Sequence, residues 1–236
     1  MKYFFTASLF FFTYFFSFGQ EFNEVLKQDI FGNPSDAQNQ MYINMMNRSN
    51  DLKQVAETSL YEDWQATEAI DKNGITFTID SANYNYSTDQ FYFTHHNKLY
   101  YLNSGKAKSV KIGSDHFSPF VFQEKKEKKN GFFQVLVDGD FPLIKRIYLK
   151  KTIVNDHPMK IAQADRVVIK KETDLFYLDQ KADTARPLPV NKKKFINLFK
   201  KRQAKLLRFA QEEKISTKDE NDLIRFFEYN KMINKD

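Results

Sequence analysis

The chain has 236 residues, with 36 Lys and Arg against 30 Asp and Glu, a formal net charge of +6, and no Cys. That length holds one domain or two with a sizeable core. The missing Cys excludes disulfides, thiolate nucleophiles, Cys-ligated metal sites and a lipid-modified N-terminal Cys, and only seven Gly leave no glycine-rich phosphate loop.

The first 20 residues read MKYFFTASLFFFTYFFSFGQ. Lys2 supplies a positive flank, and Tyr3 to Phe16 form an apolar run of secretory length, too short for a comfortable membrane span. Ser17 and Gly19 stand at the −3 and −1 positions of a cut before Gln20, so residues 1–19 are expected to be a signal peptide. No later segment holds 18 successive apolar residues. The mature chain is therefore expected to be exported, in the periplasm or outside the cell, without a transmembrane anchor and not as a lipoprotein.

Residues 20–60 form a polar lead-in with a turn at IFGNPSD and room for one short helix in QNQMYINMMNR. Residues 61–189 change texture to aromatic and β-branched segments broken by turn residues. Ile75, Phe77 and Ile79 alternate with Thr76 and Thr78, the pattern of a half-buried strand. FYFT and LYYL flank HHNK as a hairpin, and DLFYL and TARPLP bracket DQKAD as another. The clearest hairpin is GFFQVLV–DGD–FPLIKRIYL, with Asp138-Gly139 at its turn. Lys125, Lys126, Lys128 and Lys129 sit just before that strand, at a loop tip where gatekeeping explains them. The pattern predicts about eight to ten short strands in an antiparallel meander.

Residues 190–236 are predicted to be helical and part of the same globular unit. Asn191 to Phe209, NKKKFINLFKKRQAKLLRF, carries eight Lys or Arg and no acid. At about 100° per residue, Phe195, Phe199, Leu206 and Ala210 gather on one side. Lys193, Lys194, Lys200, Lys201, Lys205 and Arg208 gather on the other, and only Arg202 and the first-turn Lys192 intrude on the apolar arc. Because the aromatics point away from the charges, they offer no stacking platform for nucleic acid beside them. Thr217-x-x-Glu220 reads as a capping box opening a second helix, four or five residues after the first. The fold class expected is therefore α+β: an antiparallel β-meander curled into a barrel-like or sandwich sheet, with a C-terminal two-helix hairpin packed on it.

The charge is uneven. From Pro187 onward there are 13 basic and 7 acidic residues, whereas Gln20 to Arg186 nets −1. Lys193, Lys200, Lys201, Lys205 and Arg208 are the candidate binding residues for an anionic partner: lipid or lipopolysaccharide headgroups, an acidic glycan or an acidic envelope protein. The simpler reading is a core-packing helix with a solvated outer face. Nucleic acid is an unfavoured partner for an exported chain.

Other chemistry is sparse. No HExxH or GxSxG occurs, and His95, His96, His116 and His157 read as loop histidines, so no metal and no cofactor is expected. Asp138 and Asp140 could pair for acid–base work, but Asp at a hairpin turn is favoured for its local backbone bonds. Asp89, Asp115 and Asp156 stand alone. Trp64 with Tyr84 and Tyr86 could line a sugar platform or simply be core.

Four segments, GFFQVLVDGDFPLIKR, DLFYL, LPVNKKKFINLF and TKDENDLIRFFEYN, together with YEDWQATEAIDKNGITFTIDSANYNYSTDQFYF upstream, resemble successive motifs of a family of small exported Bacteroidota proteins of unknown function. The resemblance spans Tyr61 to Asn230 and implies export and an envelope location. It implies no site residues. The function expected is a non-enzymatic envelope binding or scaffolding protein; the alternative is a hydrolase of an envelope or dietary polymer working through a carboxylate pair.

Overall fold

Alternation with a period of two builds most of the chain. In β2 (Thr76–Asn85) Phe77 and Ile79 are buried while Thr76, Thr78 and Asp80 are exposed, as the sequence pattern requires of a half-buried strand. The structure, a computed structural model, describes residues 58–95, 98–102, 104–154, 166–179 and 182–234. The expected signal peptide and most of the lead-in lie outside those residues, as do His96 and His157.

The described strands are β1 (Gln65–Asp71), β2, β3 (Gln90–His95), β4 (Lys98–Tyr101), β5 (Ala107–Ile112), β6 (Asp115–Glu124), β7 (Glu127–Val137), β8 (Leu143–Val154), β9 (Arg166–Asp179) and β10 (Thr184–Pro187). They form one sheet in the order β10-β9-β8-β7-β6-β5-β1-β2-β3-β4. The three predicted hairpins are present as β3–β4, β7–β8 and β9–β10. The meander is interrupted once: β5 returns past β2, β3 and β4 to pair with β1. Lys128 and Lys129 also differ from expectation. They lie within β7, and only Lys125 and Lys126 make the β6–β7 turn, with Lys125 at φ 57°.

Between barrel and sandwich, the structure is a barrel. β6 to β10 close on themselves because β10 also meets β6, in parallel, at Ala185 opposite Phe122. Phe122, Phe133, Ile144, Phe176 and Ala185 fill the barrel. The other five strands extend from β6 as an outer sheet, whose inner side chains form a second core with the outward-facing Phe117, Phe132 and Ile147 of the barrel wall.

The C-terminal layer holds α1 (Lys192–Ile196), a 3-10 segment (Asn197–Arg202), α2 (Gln203–Glu212) and α3 (Glu220–Met232). The single first helix expected from the sequence is thus broken, at Phe199 with φ −99° and ψ 37°. The second helix is capped by Asp219, whose carboxylate accepts from Asp222 N, and not by Thr217. The Thr217 hydroxyl instead donates to Val190 O at 2.6 Å, tying the α2–α3 link to the start of α1. A third core forms where Phe195, Phe199, Leu206, Leu223, Phe226 and Phe227 pack with Val137 and Leu143, beside the β7–β8 turn.

Candidate functional site

The basic stretch keeps its two sides despite the break. Asn191 caps α1 by accepting from Lys194 N at 3.1 Å, which starts the helix with its apolar residues turned inward. Phe195, Ile196, Phe199, Leu206 and Ala210 are buried; Phe199 packs edge-on against Phe141, Phe195, Phe226 and Phe227. On the outside, Lys192, Lys193, Lys194, Lys200 and Lys205 are exposed. None of the five has an ion-pair partner among the described residues. Of Lys201 only the backbone is described. Arg208 is exposed but bonded through Nε to Glu212 at 2.7 Å, so its charge is partly answered. Arg202 intrudes on the apolar arc for a reason the helical wheel cannot show. Its Nη1 lies 2.9 Å from Oδ1 and 3.3 Å from the carbonyl oxygen of the buried Asn230, near the end of α3.

Asp138 and Asp140 sit in the β7–β8 turn and tie it to the C-terminal end of α3. Lys231 bonds to Asp138, and Asn234 Nδ2 donates to Asp140 Oδ2 at 2.6 Å. The Lys231 ammonium keeps the Asp138 carboxyl below its ordinary range. Tyr84 and Tyr86 are core residues, leaving Trp64, 38 % exposed, without the platform the sequence allowed. His116 is exposed on β6. Among the described residues no three His, Cys, Asp or Glu side chains come together as a metal site.

Asp89 and Asp115 do not stand alone. Tyr61 donates its hydroxyl to Asp115 at 2.7 Å. Asp89, at the end of the β2–β3 turn with φ 57°, reaches into a split in the barrel wall. β7 and β8 pair from Gln134 opposite Lys145 toward their turn; continued outward, that register would set Phe132 opposite Ile147. The two strands have parted there. Phe132 N donates instead to Asp89 Oδ1 at 3.0 Å, and the Tyr84 hydroxyl donates to the same oxygen at 2.7 Å while also lying 3.5 Å from Ile147 O. One carboxylate and one phenol thus stand where a backbone bond would otherwise join the strands, satisfying groups that are costly to bury unpaired.

Around Asp89 lies a charged cluster at the barrel mouth. The Arg146 guanidinium sits 4.0 Å from the centre of the Phe122 ring and 5.3 Å from that of Tyr148, and its Nη1 is 3.3 Å from Glu124 Oε1. Glu124 also pairs with Lys129 at 2.5 Å, and Tyr148 donates to Asp174 at 2.7 Å. Burial pushes Asp89 up to about 6, against the lowering effect of the Tyr84 and Phe132 bonds and of Arg146. The Lys129 bond, followed by Arg146, holds Glu124 below the usual carboxylate range. Two acids whose environments displace them in opposite directions therefore share one mouth. Sequence reasoning missed this cluster, although Gly131, a glycine inside a strand, was its one signal. A Cβ there would overlap Asp89 Oδ2 and come within 3.1 Å of Phe122.

Comparison of the chain with known protein families, with characterised proteins and with solved structures finds no match.

Proposed function

We propose that this chain is an exported, non-enzymatic binding or scaffolding protein of the cell envelope that meets an anionic partner through the basic side of its C-terminal helices. The supporting observation is the set of five exposed lysines, Lys192, Lys193, Lys194, Lys200 and Lys205, without ion-pair partners among the described residues, on a helical layer whose opposite side is core. A cluster of like charge on one side of a folded layer attracts anions at long range. Lipid or lipopolysaccharide headgroups, acidic glycans and acidic proteins all answer that chemistry. The test is a K193Q/K194Q/K200Q/K205Q variant, compared with wild type by urea melt and by co-sedimentation with anionic vesicles. The proposal requires unchanged stability with binding reduced and salt-sensitive; binding that survives all four changes would remove it. Export is checked by N-terminal mass analysis of protein from its host, where the mature chain should begin at Gln20.

A second reading, a hydrolase using a carboxylate pair, draws on Asp89 and Glu124, because oppositely displaced acids are how one site holds both a proton donor and an ionised carboxylate. Screening against polysaccharides with D89N and E124Q as controls tests it. Turnover that both variants lose would favour the enzyme.

A further inference from the structure

Beyond Lys145, β8 pairs with β9 alone: β7 has parted from it, and β10 reaches only Phe176 to Asp179 of β9. The two strands run on as a ribbon to Val154 and Arg166. Successive rungs of such a ribbon face opposite sides. Leu149 opposite Lys171 and Lys151 opposite Ile169 are two rungs apart and share one side, whereas Lys150 opposite Lys170 lies between them on the other. The shared side is fastened at its base, where Leu149 packs in the outer-sheet core and the Lys171 ammonium lies 5.2 Å from the centre of the Tyr86 ring. One step farther out, Lys151 is exposed and Ile169 is 53 % exposed. A two-stranded ribbon is marginal in water unless a further strand or layer packs on it.

The chain's own N-terminal side leads to this place. Leu60 N donates to Tyr84 O at 2.8 Å and Tyr86 N to Thr58 O at 3.1 Å, so Ser59 runs antiparallel to Asn85. Followed backward from Leu60, the backbone passes the end of β2 at Tyr86, the residue beneath Lys171. Residues 20–57 come before it and hold six Asp or Glu against three Lys or Arg, a net −3. The ribbon is their electrostatic complement: residues 148–154 and 166–173 hold five Lys or Arg against one acid, Glu172. Spacing matches as well as charge. Val55 and Glu57 are two residues apart, as are Ile169 and Lys171. In extended backbone each pair shares a side at a separation of about 7 Å. A polyanion from outside would answer the lysines and leave Ile169 in water.

We propose that the end of the lead-in, residues 51–57, lies along this side of the ribbon, with Glu57 beside Lys171 and Val55 over Ile169, and so straps the ribbon to the outer sheet. This contact does not involve the helical basic side and does not depend on it.

The test is hydrogen exchange of the full chain at residues 51–57, with each variant compared with its own urea-unfolded form. Wild type should exchange there several-fold more slowly than when unfolded. I169S, at an exposed position, should remove most of that protection while the barrel amides keep theirs, and E57K should do the same by opposing Lys171. E57K/K171E swaps the two charges and should restore what E57K loses. K170E, on the ribbon's other side, should change nothing. Exchange at the unfolded rate in wild type would overturn the strap, and so would protection that I169S and E57K both leave intact. Protection that grows with protein concentration would overturn it in favour of a second copy, and protection that appears only with added heparin would overturn it in favour of an outside polyanion.

Discussion

Asp89 and Gly131 form a matched pair: the glycine lacks a side chain where the aspartate's outer oxygen lies. Gly131→Ala should therefore push Asp89 off Phe132 N and lower stability by about 1–3 kcal/mol, the usual range for overpacking, read from the urea midpoint. Asp89→Ala should cost a similar amount, about 1–3 kcal/mol, by leaving Phe132 N and the Tyr84 hydroxyl unanswered. Asp89→Asn should be much milder, since Asn tolerates φ > 0 and its carbonyl still accepts. The two substitutions also separate the hydrogen bonds from the charge. The folded-state acidity of Asp89, at about 6, lies above the ordinary value of 3.8, so the folded protein binds this proton more tightly than the unfolded chain. Its contribution to stability is fully present below about pH 4 and is lost as pH rises through about 6, an effect on the order of 1–3 kcal/mol. Urea midpoints at pH 4, 5, 6 and 7 should show that decline in wild type, and a flatter profile in Asp89→Asn.

At the scale of elements, the C-terminal helices make the sharpest forecast. Phe199→Ala and Leu206→Ala should each cost about 2–5 kcal/mol, the range for large core side chains. Lys193→Gln, Lys200→Gln and Lys205→Gln should each change stability by about 0.5 kcal/mol or less. Arg202 belongs with the first group despite its charge: Arg202→Ala strands the buried Asn230 oxygens and should cost about 1–3 kcal/mol, measurable in the same melts. The sidedness of this segment was legible because helical periodicity survives a break of one residue. The break itself was not, since nothing in NLFKKR marks Phe199 as the residue that leaves helical geometry. Thr217 and Asp219 are both good caps; Asp219 is the one used, while the Thr217 hydroxyl bonds the Val190 carbonyl. Strands were read well wherever turn residues frame them, as in GFFQVLV–DGD–FPLIKRIYL. What stayed hidden was every pairing set by distance along the chain: β5 on β1, β10 on β6, and Asp89 on Phe132, 43 residues away. Local pattern carries no register for such partners.

For the whole molecule, the decisive element is the β7–β8 hairpin, because it contributes to all three cores. Phe132 and Ile147 belong to the outer-sheet core, Phe133 and Ile144 to the barrel, and Val137 and Leu143 to the helical layer. The three regions should therefore unfold together despite their different architectures. Trp64, the one tryptophan, precedes β1 and reports on the outer sheet, whereas ellipticity at 222 nm, the usual helix wavelength, weights the C-terminal layer. Coincident urea transitions by the two probes are expected. A fluorescence transition well separated from the helical one would show that the outer sheet is an independent unit.

The parallel seam between Ala185 and Phe122 also has a consequence for biosynthesis. Until β10 arrives, the Ser118 to Glu124 side of β6 and the end of β9 are open edges, with Phe122, Phe133 and Phe176 uncovered between them. A nascent chain that has reached Asp179 is thus an adhesive sheet, and such edges recruit other chains. The strand that seals it is only four residues long and leads directly into Leu188, which packs in the helical layer. The last fifth of the polypeptide is therefore what latches the barrel, and products truncated near residue 180 should be found in aggregates or with chaperones instead of as soluble partial barrels.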